Sequence, residues 1–215
     1  MSSGFQFGGA VGAIHELAYI EAKTIAFVDS DPDTITDSGD GFVDAGFVDT
    51  DEITVITEST TNDGDYTIDG AVVVGVITLD AGDALSAEIA GQNVIIYKTD
   101  IGDQIGGVSD FSVSVDADML ETSNFANEAN DQNWETSIPG MIRSKATASK
   151  LWSTDTTDVF DLQGKLRMFR FYDADIYRQA VGYISSIGVP SEVSDLVRDN
   201  IQIVIVGPIT EVAVP

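Results

Sequence analysis

The chain reads as all-β with one short helix: a β-sandwich or barrel that carries a second, smaller β domain. Two strand patterns and a charge asymmetry predict this. Between residues 24 and 97, short runs rich in Val, Ile and Thr are separated by Asp, Gly and Asn clusters, the rhythm of strands joined by turns. In Phe111-Ser112-Val113-Ser114-Val115-Asp116 apolar and polar residues alternate, as in a strand with one dry and one wet face. Residues 1–97 hold 18 acidic residues against the single basic Lys23, whereas residues 98–215 hold 18 against nine. The expected divisions are an N-terminal arm over 1–23, an acidic accessory β domain over 24–97 and a main β domain over 98–215.

In the arm, Ile14, Leu17, Ala18 and Glu21 fit helical spacing, but no helix start signal precedes them, so a short helix and a strand are both open. The accessory domain shows strand-like runs at 24–28, 52–57, 65–68, 72–79 and 93–97. Within it, Asn62-Asp63-Gly64-Asp65 is a hairpin signal, because Asp-Gly supplies the positive φ of a tight turn. GFVD begins at both Gly41 and Gly46, an echo too short to be a structural repeat. In the main domain, Val159, Phe160 and Leu162 lie between an acidic start and Gly164, and predict the one helix over 155–163. Strands follow at 166–171, 179–189 and 200–206. In the last, Ile201, Ile203 and Ile205 alternate with Gln202, Val204 and Val206, which predicts a central strand apolar on both faces.

Composition narrows the function. At 215 residues and 43% hydrophobic content, the chain can bury a sizeable core. It has no cysteine, so disulfides and thiolate metal sites are excluded. No apolar run reaches the roughly 18–20 residues that span a bilayer, and the start of the chain lacks a basic secretion signal. Manufacture and use without export, and no membrane partner, are the expectation. A net charge of -26 repels nucleic acid phosphates. Scarce lysine with surplus aspartate fits a halophilic setting, where about 1 M salt shortens screening to about 3 Å; ordinary acidic solubility fits as well.

Catalytic chemistry is sparse. His15 is the only histidine, and a lone His in an apolar arm reads as packing rather than catalysis. Gly8, Gly9 and Gly12 lack dinucleotide spacing, and no nucleophile elbow or phosphate loop occurs. No enzyme activity, catalytic residue, cofactor or metal is expected. Asp29-x-Asp31-x-Asp33 has the alternation of a calcium loop, but Thr34 and Asp40 stand where Gly and Glu are required, so a solvated acidic turn is the better reading. Lys165-Leu166-Arg167-Met168-Phe169-Arg170-Phe171-Tyr172 interleaves bases with aromatics. It reads as a half-buried strand with edge charges, and Arg167 and Arg170 could pair with acids of a neighbouring subunit.

From Ile105 to Trp152 the chain runs from a Gly-Gly turn into a period-two strand, an Asp-rich strand exit, a polar loop ending in Trp134-Glu135 and Ile138-Pro139-Gly140, and a second alternating strand ending at Leu151-Trp152. Tyr183-Ile184-Ser185-Ser186-Ile187, then 200–206 and Gly207-Pro208-Ile209, complete the pattern. Over about the C-terminal half, this resembles the major tail tube protein of long-tailed (siphovirus-like) bacterial or archaeal viruses. Thr61 to Ile68 is also similar to a small β module attached to various virion proteins, which implies an accessory domain on the outside of an assembly.

The tail tube resemblance implies a tail-tube-type β-sandwich or barrel whose copies close into hexamers, rings that stack into a conduit for genome ejection. It implies a virion tail location after assembly in the host cytoplasm. Its partners would be other copies and tail proteins such as the tape measure and terminator, with viral DNA in passage but not specifically bound. The loop over 122–141 would reach the next ring, with Trp134, Ile138, Pro139 and Gly140 as contacts. Alternation alone assigns Ser112, Ser114 and Asp116, with Thr147 and Ser149, to a lumen-facing side. A single-ring tail terminator or connector, and an acidic surface adhesion module, are the alternative readings.

Overall fold

The computed structural model describes residues 14–99, 103–105, 107–121, 137–151, 160–173, 176–188 and 198–213. The strands are β1 (Ile14–Leu17), β2 (Tyr19–Ala22), β3 (Ile25–Val28), β4 (Thr34–Asp37), β5 (Glu52–Thr57), β6 (Gly64–Thr67), β7 (Val76–Thr78), β8 (Val94–Lys98), β9 (Asp103–Gln104), β10 (Gly107–Glu121), β11 (Ser137–Leu151), β12 (Arg167–Asp173), β13 (Ile176–Gly188), β14 (Arg198–Ile205) and β15 (Thr210–Ala213), with one helical turn, α1 (Phe42–Ala45). The all-β expectation holds.

An eight-stranded antiparallel sheet runs β10-β11-β14-β13-β12-β1-β9, with β15 also paired to β13. Its apolar face buries Ile14, Phe169, Phe171, Ala146, Ala148, Ile184, Ile201 and Ile203, with Ile105 and Leu162 packed on them. Each buried Ile, Leu or Phe among them contributes about 1.5–3 kcal/mol. β14 lies between β11 and β13, the expected central position. Its second face is wetter than expected: Ile201, Ile203 and Ile205 are buried, whereas Gln202 and Val204 are half-buried and Val206 is exposed.

The acidic segment, joined by β2 from the arm, forms two small sheets, β2-β8-β5-β6 and β3-β4-β7, around a second core that includes Ile35, Ile53, Ile77 and Phe42. β1 belongs to the large sheet, while β2 belongs to a small one. The open choice at the start of the chain is thus resolved as strand, and the acidic segment enters between two strands of the large sheet, β1 and β9. β4 and α1 are additions to the strand runs read from sequence. α1 starts within the first GFVD and ends at Gly46, whose φ of 93° supplies the left-handed closing residue.

Two local expectations fail. The β5–β6 hairpin exists, but Gly64 is already in β6, opposite Val55, and the left-handed residue of the connection is Thr60 (φ 60°). A six-residue connection, 58–63, does not need the two positive φ values of a two-residue turn. The helix expected over 155–163 is not formed in its described part. Residues 160–162 are turn, and Gln163 bridges Ile184 alongside β13. Leu162 is buried while Phe160 is 49% exposed, and the Gly164 amide bonds Ile184 O at 3.0 Å. Pairing with a free stretch of β13 outcompetes a short helix that could bury only part of its apolar stripe.

Candidate functional site: the polar face and projecting ribbon of the large sheet

β10 and β11 pair over 107–121 and 137–151, whereas β14 pairs β11 only over 144–151. Residues 116–121 and 137–143 therefore have only each other as ladder partners among the described residues, and form a two-stranded ribbon projecting beyond the sheet. β10 has no strand on its outer side among the described residues. The core ends where the ribbon begins: Val113 is buried, but Val115, the next residue on that face, is 50% exposed.

The other face of these strands is polar. Ser112 and Thr147 are direct cross-strand partners with their hydroxyls 2.8 Å apart, and Ser149 Oγ donates to Asn200 Oδ1 at 3.3 Å. Ser114 pairs in register with Lys145, and Asp116 with Arg143. Ser112, Ser114, Thr147 and Ser149 thus share one face as expected, and Asp116 has the same parity, since alternate residues point the same way. The same parity adds four residues that sequence reading passed over: Arg143 and Lys145, both exposed, and Asn200 and Gln202 from β14. The face is therefore mixed in charge, with Arg143 in register with Asp116 rather than standing on a uniformly neutral or acidic wall.

Of the expected stacking contacts, Trp134 lies outside the described residues. Ile138, Pro139 and Gly140 lie within β11, not in the terminal turn of a polar loop, and Ile138 and Pro139 pair with Leu120 and Met119. Pro139 is tolerated because the ladder is irregular between Ala117 and Met119, the kind of position where a missing N–H costs little.

The remaining sequence features turn inward. Arg167 and Arg170 are buried, so they do not serve as exposed partners for a neighbouring subunit. Arg167 Nε binds Glu16 Oε1 at 2.6 Å and its Nη2 donates to Asp44 O at 2.8 Å, clipping the end of α1 to the large sheet. Arg170 Nη1 donates to Thr99 O at 3.0 Å, and its guanidinium lies over the Tyr177 ring, 5.1 Å from the centroid. Glu16 neutralises Arg167, while a backbone carbonyl and an aromatic face receive the Arg170 guanidinium, which is why these bases can be buried. His15 packs edge-to-face on Tyr172, with 4.9 Å between ring centroids. In the calcium-like run, Asp33 is buried and its carboxylate accepts from the amides of Ser30 (2.7 Å) and Leu85 (2.5 Å). It closes a loop onto a segment 52 residues away, so the run is a structural turn rather than a wholly solvated one.

No family model and no curated protein matches the chain. Among solved structures it is similar to a chain from the virion of a native gene transfer agent particle, at 16% identity over 52% of this chain and 88% of that one, with a TM-score of 0.41. It is also similar to a chain from the tail of an empty gene transfer agent particle with C6 symmetry, at 15% identity over 50% of this chain and 84% of that one, again with a TM-score of 0.41.

Proposed function

We propose that the chain is a structural virion protein whose copies close into hexameric rings, and that these rings stack into the tail tube through which a viral genome is ejected. The observation that carries this reading is the projecting ribbon. A two-stranded hairpin alone is at best marginally stable in water, and residues 116–121 and 137–143 extend past the last described strand that could support them. Packing of the ribbon against a second copy supplies the missing support. Trp134 falls in sequence between the two strands of the ribbon, and Ile138, Pro139 and Gly140 lie along its returning strand.

The polar face suits the lumen. Ser112, Ser114, Thr147 and Ser149 present hydroxyls, and by register Asp110 and Asp116 share their parity with Arg143 and Lys145, two acids to two bases. A wall without a surplus of positive charge lets phosphates pass rather than retaining them, which is what a conduit requires. The acidic segment over 24–97 serves as an accessory unit outside the wall. Along β10 and β11 the large sheet is wetted on one face and dry on the other, as a wall between a core and an aqueous lumen requires. Tape measure and terminator proteins are its expected tail partners, in a virion assembled in the host cytoplasm.

Negative-stain electron microscopy of the purified protein, at low and at about 1 M salt where screening falls to about 3 Å, tests the reading. Hollow tubes of stacked rings are expected, favoured by salt. Isolated rings under both conditions would replace it with the terminator or connector reading. Persistent monomers would overturn assembly altogether.

A further inference from the structure

The acidic unit holds three Asp-Gly pairs, Asp40-Gly41, Asp63-Gly64 and Asp69-Gly70. In such a pair no side chain shields the glycine nitrogen, which is free to approach the carboxyl group of the preceding aspartate. All three aspartates are exposed, so the fate of each pair is set by what holds its nitrogen and its carboxyl. The Gly41 amide donates to Oδ2 of the buried Asp37 at 2.8 Å, and a methyl group at Gly41 would lie 2.8 Å from Ile20 Cδ1. This nitrogen is held in a crowded place. At the second pair the carboxyl is held: Asp63 Oδ1 accepts from the Thr57 amide at 2.6 Å and the Thr57 hydroxyl at 2.9 Å, while Gly64 is fixed in β6 opposite Val55. The third pair is open. A methyl group at Gly70 would meet nothing within 4 Å, and the Gly70 amide donates to Asp49 Oδ1 at 2.8 Å, on a side chain that is itself exposed.

We propose that Asp69-Gly70 is a site of spontaneous isomerisation to isoaspartate, and that Asp49 is the residue that restrains it. The Gly70 nitrogen attacks Cγ of the protonated Asp69 carboxyl. An N–Cγ bond forms, the amide proton and the carboxyl hydroxyl leave as water, and a cyclic imide closes. Water then adds to the main-chain carbonyl carbon of Asp69, the bond from that carbon to the Gly70 nitrogen breaks, and the nitrogen recovers its proton. The chain now runs through Cγ, with no oxidant, reductant or cofactor consumed and no net change of mass. Attack requires the amide proton to be given up, and a carboxylate that accepts that N–H as a hydrogen bond opposes its loss. The added main-chain methylene falls beside two pinned points, where the Thr50 amide donates to Ile68 O at 3.0 Å and the Asp69 amide to Thr78 O at 2.9 Å. Isomerisation therefore loosens the edge of the second core, to which Ile68 belongs. The inference concerns the single subunit and stands apart from the assembly reading above.

Ageing of the full-length protein in heavy-oxygen water tests this, because hydrolysis of the imide leaves a heavy oxygen at the reacted residue. Digestion in ordinary water with chymotrypsin, cutting after Phe42, Tyr66 and Leu79, places the three pairs on separate peptides. Heavy oxygen and isoaspartate are then measured in each by mass spectrometry. In the native sequence Asp69 is expected to react fastest of the three. Asp49→Ala is expected to speed Asp69 by about threefold to tenfold, the equivalent of one lost hydrogen bond, with Asp40 and Asp63 unchanged. Asp49→Asn, which keeps an acceptor oxygen without the charge, is expected to fall between. An unchanged rate at Asp69 in Asp49→Ala overturns the proposal, as does Asp40 or Asp63 reacting first. A parallel rise at all three pairs also overturns it, because a loosened fold rather than the lost hydrogen bond would then be the cause.

Discussion

Nε of Arg167 lies 2.6 Å from Oε1 of Glu16, a buried ion pair between residues 151 positions apart. It joins β12 to β1, and the same guanidinium reaches Asp44 O, so one side chain ties the large sheet to the acidic unit. Lys98 Nζ, half-buried, lies 2.7 Å from the buried Asp51 Oδ1 and makes a second pair within that unit's end of the chain.

Removing one member of the Arg167 pair is expected to be costly. Glu16→Ala leaves a buried guanidinium without its counter-charge and should lose about 3–5 kcal/mol, whereas the paired change Glu16→Leu with Arg167→Met should be close to neutral. Urea midpoints of both variants check this. A small loss in Glu16→Ala would mean that Asp44 O and solvent suffice for Arg167.

Asp37 predicts an acid limb of stability. Burial pushes its carboxyl up, but the Thr24 hydroxyl at 2.5 Å and the amides of Gly39 (2.9 Å) and Gly41 (2.8 Å) outweigh that and hold it below its ordinary value. The unfolded chain therefore takes up the proton first. The contribution is present above the ordinary value of 3.8 and is lost as pH falls through the lower folded value. Asp37→Asn should be less stable at neutral pH and lose less on acidification, measured by thermal melts across pH.

Gly182 faces backbone where β13, β12 and β14 meet. A methyl group there would sit 2.5 Å from Val204 O, so Gly182→Ala should force the strands apart at a cost of about 1–3 kcal/mol. Calorimetry of the purified variant measures it, and an unchanged midpoint would show that the sheet yields freely.

Trp134→Ala should leave a folded subunit, checked by circular dichroism, that no longer forms tubes in electron micrographs. Unchanged tubes would remove the loop from the stacking interface.

The polar face is tested by labelling. In assembled tubes, Thr147→Cys should resist a bulky maleimide that modifies Ile89→Cys freely, while both react in monomers. Equal labelling in tubes would place Ser112, Ser114, Thr147 and Ser149 on the outside.

Much of this fold was legible because strands write themselves in local alternation. Ser112, Ser114, Thr147 and Ser149 fall on one face in sequence and in structure, since parity along a strand survives folding unless a bulge intervenes. Val159 to Gln163 misled for the converse reason: a short helix has little intrinsic stability, and β13 offers Gln163 and Gly164 a ladder that no local pattern announces.

By itself, then, the sequence determined the all-β class, the strand positions of β10 to β14, the wet and dry faces of β10 and β11, and the acidic character of 24–97. Tertiary structure alone decided that β1 joins the large sheet while β2 does not, that Arg167 and Arg170 turn inward, that Asp33 caps a distant loop, and that 137–140 extend a ribbon. Those outcomes rest on pairings between residues far apart in the chain, such as Glu16 with Arg167 and Asp33 with Leu85. A partner's charge or hydrogen-bonding group is available only once the chain has brought it there, so alternation can assign a side chain to a face without naming what it meets.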